Sequence, residues 1–133
     1  MQRTKSFRSL FSARILCLIA VIGVSGCSYS EKAIIAQIEE LGGKYRVNAD
    51  GSGEPLKIVT FQRAGISDDD LECLEDIANL HTLNLSGTKV SDRGLDHLKG
   101  LSTLKRLILT STKISEAGVA ELKEALPDCK IDH

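Results

Sequence analysis

The stretch Leu80-His81-Thr82-Leu83-Asn84-Leu85 returns 24 residues later as Leu104-Lys105-Arg106-Leu107-Ile108-Leu109. Counting back by the same step gives Leu56, Val59 and Phe61 in place of the three leucines. Further along each unit Ile66, Val90 and Ile114 align, then Ser67, Ser91 and Ser115, then Asp68, Asp92 and Glu116. Leu71, Leu95 and Val119 follow, and then Leu74, Leu98 and Leu122. So many aligned columns in three copies exceed what chance produces. A strict period of this length signifies a solenoid, in which each unit buries its apolar face only against its neighbours.

Every unit has the same internal plan. The leucines of 80–85 point inward from a strand, residues 86–89 turn the chain, and Val90 packs inward. Ser91 is placed to cap a helix, with Asp92 in the first turn where negative charge suits the dipole. Leu95, Leu98 and Leu101 give that helix its buried face. The third unit repeats this with Ser115, Glu116, Val119, Leu122 and Leu126. Pro127 stops its helix, and residues 129–131 begin a fourth strand.

The segments LHTLNLSGTKVSDRGLDHL and LKRLILTSTKISEAGVAEL resemble leucine-rich repeats. They look closest to bacterial proteins whose units read LxLxxTxIsdxGL and whose last unit ends in LPxCxI. The resemblance covers residues 56–131. It implies an α/β solenoid with parallel strands on a concave face, helices on the convex face, and an N-terminal helix and hairpin cap. Units then start at 56, 80 and 104, with a partial one from 128, so residues 56–133 form the repeats. Ala64 stands where Thr88 and Thr112 stand, and Asp70 where Gly94 and Gly118 stand. Threonine is expected to bond turn backbone between units and glycine to permit close helix approach, so the first unit reads as a modified end.

Residues 33–55 form the expected cap. Within it, 33–41 read as a helix with Ile34, Ile38 and Leu41 on one face and Gln37, Glu39 and Glu40 turned away. Gly42-Gly43 ends it. Tyr45 and Val47 alternate with Arg46 and Asn48, so a short strand follows. Residues 48–54 are turn chemistry. They superficially resemble a calcium loop, but Asn48 would be the first ligand and Val59 falls where a bidentate glutamate is required.

The first 26 residues carry Arg3, Lys5, Arg8 and Arg14 with no acidic residue, then an apolar run at 15–24. That run is about half the ~20 residues a spanning helix needs, and the pattern reads as a secretory signal peptide. Val24-Ser25-Gly26-Cys27 resembles the lipobox of bacterial lipoproteins. The resemblance implies a diacylglycerol on Cys27, cleavage just before it and a lipidated stalk at 27–32. An uncleaved short anchor and an ordinary secreted form are the alternatives. Ser28 in place of aspartate leans, by analogy, to an outer-membrane anchor facing the periplasm in a Gram-negative cell.

Losing the leader removes four of 17 basic and none of 18 acidic residues, leaving a net charge of about −5. A mildly acidic domain with no basic stripe and few aromatics is a poor nucleic-acid binder. Cys73 and Cys129 are expected too far apart for a disulfide, on the helical side of one unit and the strand start of another.

Outward strand positions form columns: Ile58, Thr82, Arg106 and Lys130; Thr60, Asn84 and Ile108; Gln62, Ser86 and Thr110. With strands ~4.8 Å apart these make one patch, the candidate protein-binding face. Cys73, His97 and Glu121 share a column too, but helix axes lie ~8–10 Å apart, too far to share one ion, so a solvent-facing column is expected. Consecutive Asp68, Asp69 and Asp70 point different ways on a helix and serve its first turn. No triad, paired carboxylates or phosphate loop is visible, and no catalytic, metal or cofactor residue is assigned. The expectation is a non-catalytic, membrane-tethered protein-binding module of the cell envelope. The alternative is a structural or self-assembling lipoprotein, pairing through the open edge of the last strand.

Overall fold

The computed structural model describes residues 31–49, 51, 53 and 55–133. The leader, Cys27 and the first part of the stalk lie outside the described residues, as do Asp50, Ser52 and Glu54 of the turn. Helix α1 (Glu31–Glu40) starts before the apolar pattern does, because Glu31 is tied down: the Tyr45 hydroxyl donates to its Oε1 at 2.6 Å. Gln37, expected to face away, is buried with Ile34 and Ile38. It sits three residues after Ile34, on the stripe that i, i+3 and i+4 spacing turns inward. The helix ends in a Schellman motif. Gly42 takes φ 79°, its N–H donates to Glu39 O at 3.0 Å, and Gly43 N–H donates to Ile38 O at 2.8 Å.

Strand β1 (Lys44–Ala49) runs antiparallel to β2 (Pro55–Thr60), with Tyr45 opposite Val59. Strands β3 (Leu80–Asn84), β4 (Arg106–Ile108) and β5 (Lys130–Asp132) then add in parallel, giving one sheet ordered β1-β2-β3-β4-β5. The parallel register pairs residues 24 apart: Ile58 with Thr82, Thr82 with Arg106, Arg106 with Lys130. Beyond the strands, the N–H groups of Phe61, Leu85 and Leu109 continue the ladder to the carbonyls of Asn84, Ile108 and Asp132 at 2.7–2.8 Å.

Among the described residues, one face of this mixed α/β sheet is covered and the other is not. Val59, Leu83, Leu85, Leu107 and Leu109 are fully buried, in an apolar cluster running from Ile34 to Cys129. The helical segments cover that side, each packed on its neighbour. They differ more than the repeat suggests. The first is a 3₁₀ helix, Asp68–Leu74. The second is a 3₁₀ turn, Asp92–Gly94, running into the short helix α2, Leu95–Lys99. Only the third, α3 (Glu116–Ala125), is a full α-helix. Composition explains the gradient. The first holds three aspartates and the second two, whereas the third holds none and, apart from Gly118 and Val119, is all Ala, Glu, Leu and Lys, the strong helix formers.

The 3₁₀ geometry corrects one expectation. Cys73 does not face solvent; it is buried beside Leu71 and Leu74 with Sγ 3.0 Å from Asp70 O. A turn of three residues instead of 3.6 rotates it inward. His97 and Glu121, in its column, do lie toward the surface, where each contacts a neighbouring unit: His97 Nδ1 lies 2.6 Å from Glu75 Oε1, and Lys99 pairs with Glu121 at 2.8 Å.

Candidate functional site: the uncovered face of the sheet

Side chains alternate across a strand, so each neighbour of a buried leucine lies on the opposite face. Ile58, Thr60, Thr82, Asn84 and Ile108 are half-buried there, and Arg106 and Lys130 are exposed. The strand register puts Ile58, Thr82, Arg106 and Lys130 in one row, and Thr60, Asn84 and Ile108 in the next. Gln62, Ser86 and Thr110 continue past the strand ends. With Arg63, Gly87 and Ser111 they line a depression of about 330 Å³.

Those last three residues explain the depression. Arg63, Gly87 and Ser111 occupy one column of the repeat, and all three have positive φ, at 57°, 70° and 59°. The left-handed turn lets Arg63 N–H reach Ser86 O at 2.8 Å and Gly87 N–H reach Thr110 O at 2.9 Å. Only Gly87 advertises this in sequence.

Asn84 has a structural task as well. Its Oδ1 accepts from the Ser86 N–H at 2.9 Å and from the Ser86 hydroxyl at 2.6 Å, a local turn that fixes the strand exit. Asp132, which sequence reading left out, completes the Thr60 row. One step of 24 beyond Ile108 would have found it. Its Oδ2 accepts from Arg106 Nε at 3.1 Å and Nη2 at 3.0 Å, and Lys130 Nζ stands 4.0 Å from Oδ1. Lys44 and Arg46 were missed too. They lie across from Thr60 and Ile58, and so extend both rows on the same face. Finding them needed the hairpin register, which the loop composition does not set.

The threonines do their work inside a unit, not between units. Thr88 Oγ1 donates to Leu85 O at 2.7 Å and Thr112 Oγ1 to Leu109 O at 2.8 Å. In each, the hydroxyl closes its own turn on the carbonyl three residues back. Links between units come from aspartate. Ser91 N–H and Oγ–H donate to the Asp68 carboxylate at 2.6 and 2.7 Å, and Ser115 N–H donates to Asp92 Oδ1 at 2.8 Å. Asp70 instead accepts from Ser67 N–H and Oγ–H at 2.8 and 3.0 Å. First-turn stabilisation was therefore only part of the reason for the acidic run.

Cys73 and Cys129 are both buried. Burial pushes the Cys129 thiol up, the Lys105 ammonium offsetting part of it. His81 Nδ1 lies 3.1 Å from the Thr82 hydroxyl. Among the described residues no group of three or more His, Cys, Asp or Glu side chains could hold a metal ion, and no helix is long and apolar enough to cross a membrane. Compared with known proteins, the chain matches no family model, and no curated protein is significantly similar to it.

Proposed function

We propose that the chain is a short leucine-rich-repeat lipoprotein, anchored to the cell envelope through lipid on Cys27, whose sheet face binds a protein partner without catalysis. One observation carries this reading. A sheet of five strands leaves a whole face uncovered by any described element, with its side chains in straight rows across the strands. The 24-residue period, the parallel register and the lipobox-like Val24-Ser25-Gly26-Cys27 support the family and the anchor. A second reading, a self-assembling envelope protein, draws on β5. Among the described residues that strand pairs only with β4, and its other edge can accept a further strand.

A photo-crosslinking residue at Ile108 in the native, membrane-bound protein tests both. Ile108 sits mid-face and makes no side-chain hydrogen bond, whereas Asn84 holds the turn and would disturb it. One stoichiometric adduct with another protein is expected, absent when the crosslinker is moved to Glu124 on α3. Self-adducts alone, or adducts only from Lys130, would favour the second reading. Replacing Cys27 with serine is expected to release the protein from the membrane fraction; retention there would overturn the anchor.

A further inference from the structure

We infer that the uncovered sheet face docks an extended, acidic segment of another protein, with carboxylates at both ends of the docked stretch. The inference rests on the proposed binding role of this face and names the chemistry of its partner.

Charge is segregated on this molecule. The chain has 18 acidic and 17 basic residues, yet among the described residues the five strands carry a single acid, Asp132. The uncovered face carries Lys44, Arg46, Arg106 and Lys130. Asp132 offsets only one of the four. Its Oδ2 takes both contacts from Arg106 and its Oδ1 faces Lys130 at 4.0 Å, which pins the guanidinium against the sheet and leaves the face with a surplus of positive charge. Lys44 and Arg46 are exposed and have no acidic partner among the described residues.

The cations are also spaced. Lys44 and Arg46 sit on β1, Arg106 and Lys130 on β4 and β5. Between them β2 and β3 present only uncharged side chains: Ile58, Thr60, Thr82 and Asn84. From β1 to β4 is three strand spacings, about 14 Å, which an extended peptide covers in about four residues. The complementary ligand is therefore a strand-like segment with carboxylates at both ends and small or apolar side chains between, the latter lying on Ile58 and Ile108. Fields of like sign over a low-dielectric sheet raise the encounter rate with such a segment and repel basic ones.

The chain's own N-terminal segment has the wrong sign. Residues 1–30 hold four basic residues and no acidic one. A second copy and an anionic membrane remain as rival occupants, and the experiment separates them.

The probe is a fluorescein-labelled heptapeptide, Glu-Glu-Val-Thr-Val-Glu-Glu, titrated against the full chain in neutral detergent and read by anisotropy. Expected is saturable binding that weakens at least about tenfold between low and physiological salt as screening sets in, and no binding of the Gln-Gln-Val-Thr-Val-Gln-Gln control. The double variant Lys44→Glu/Arg46→Glu and the single variant Lys130→Glu attack opposite ends. Each is expected to cost about fivefold or more in affinity through like-charge repulsion, with circular dichroism unchanged. Lys123→Glu on α3 is expected to bind as the parent does.

Equal binding of the glutamine control, or equal loss with Lys123→Glu, would overturn the inference. So would binding to vesicles of 30% phosphatidylglycerol without binding to the probe, which assigns the face to anionic lipid. Self-association abolished by Lys44→Glu/Arg46→Glu, with no probe binding, would assign it to a second copy. The proposed function fails separately. An Ile108 adduct whose contact segment lacks acidic residues overturns the charge assignment alone, and no protein adduct overturns both.

Discussion

Asp92 joins two units through a single carboxylate, and the glycine at 118 exists to let it in. Asp92 Oδ1 accepts the Ser115 N–H at 2.8 Å. A Cβ on Gly118 would stand 2.5 Å from that same oxygen and 3.0 Å from Leu95 Cδ1. Asp92→Ala is expected to cost about 1–2 kcal/mol in urea unfolding, the range for losing a charge-assisted bond near the surface. Gly118→Ala should cost at least as much, by expelling the carboxylate and crowding Leu95. The double variant should be markedly less destabilised than the sum, because both changes break the same contact. Strict additivity would mean the glycine answers to Leu95 alone. The glycine column was legible in the sequence, but its cause was not. The side chain that approaches comes from the preceding unit, 26 residues back, and a column of glycines says only that something must come near. The threonine column was legible in the same partial way. Its residue type pointed to a turn bond, while the direction of that bond, inside the unit, needed coordinates.

Among the elements, α1 is held to the sheet by a polar clamp. Tyr45 of β1 donates to Glu31, and Lys57 of β2 reaches the same oxygen at 3.0 Å. The Tyr45 bond, with help from Lys57, holds the Glu31 carboxyl below its ordinary value, while burial and the Glu31 charge push the Tyr45 phenol well up. The two shifts work at opposite ends of the pH scale. A depressed carboxyl contributes stability present above its unfolded pKa of about 4.3, lost as pH falls through the folded value. A raised phenol contributes stability present below its unfolded pKa of about 10 and lost as pH rises through the folded one. The clamp therefore holds across the neutral range, and stability should fall above about pH 10. Tyr45→Phe should remove its share of that alkaline slope, as measured by urea midpoints from pH 8 to 11. An unchanged slope would show that the phenol does not stay protonated in the fold. The same joint makes Gly43 a tight spot. Its added Cβ would lie 2.5 Å from the Phe61 ring and 2.8 Å from Ile38 Cγ2, so Gly43→Ala should cost about 1–3 kcal/mol by overpacking. Phe61→Leu in the same chain should recover part of it. Most elements could be placed from sequence because strand leucines and cap serines recur. The change from 3₁₀ to α across the three units could not. The repeat makes the units look equal, and only their differing propensities, weighed against shared packing, set them apart.

Over the whole molecule, the strands and the helical segments described follow one another in a row along the sheet, each packed chiefly on the next, so stability need not be uniform along it. The two buried thiols report on opposite parts of the row. Cys73 lies inside the first unit, with the second packed beyond it. Cys129 precedes β5, which among the described residues pairs on one side only, with Lys130 N–H donating to Lys105 O at 2.9 Å. Its raised pKa slows reaction with a maleimide, because the thiolate is the nucleophile. Fraying of an edge strand works the other way, exposing the thiol without unfolding the rest. If fraying dominates, Cys129 of the native protein is labelled faster than Cys73, as followed by quenching and peptide mass spectrometry. Asp132→Ala would sharpen the contrast by freeing Arg106 from β5. It should speed labelling of Cys129 and leave Cys73 unchanged. Equal rates at the two thiols, both moved together by Asp132→Ala, would instead mean that the row opens as one cooperative body. In that case the edge of β5 is as firm as the interior, and the self-assembly reading of that strand loses the mobility that pairing with a new chain draws on.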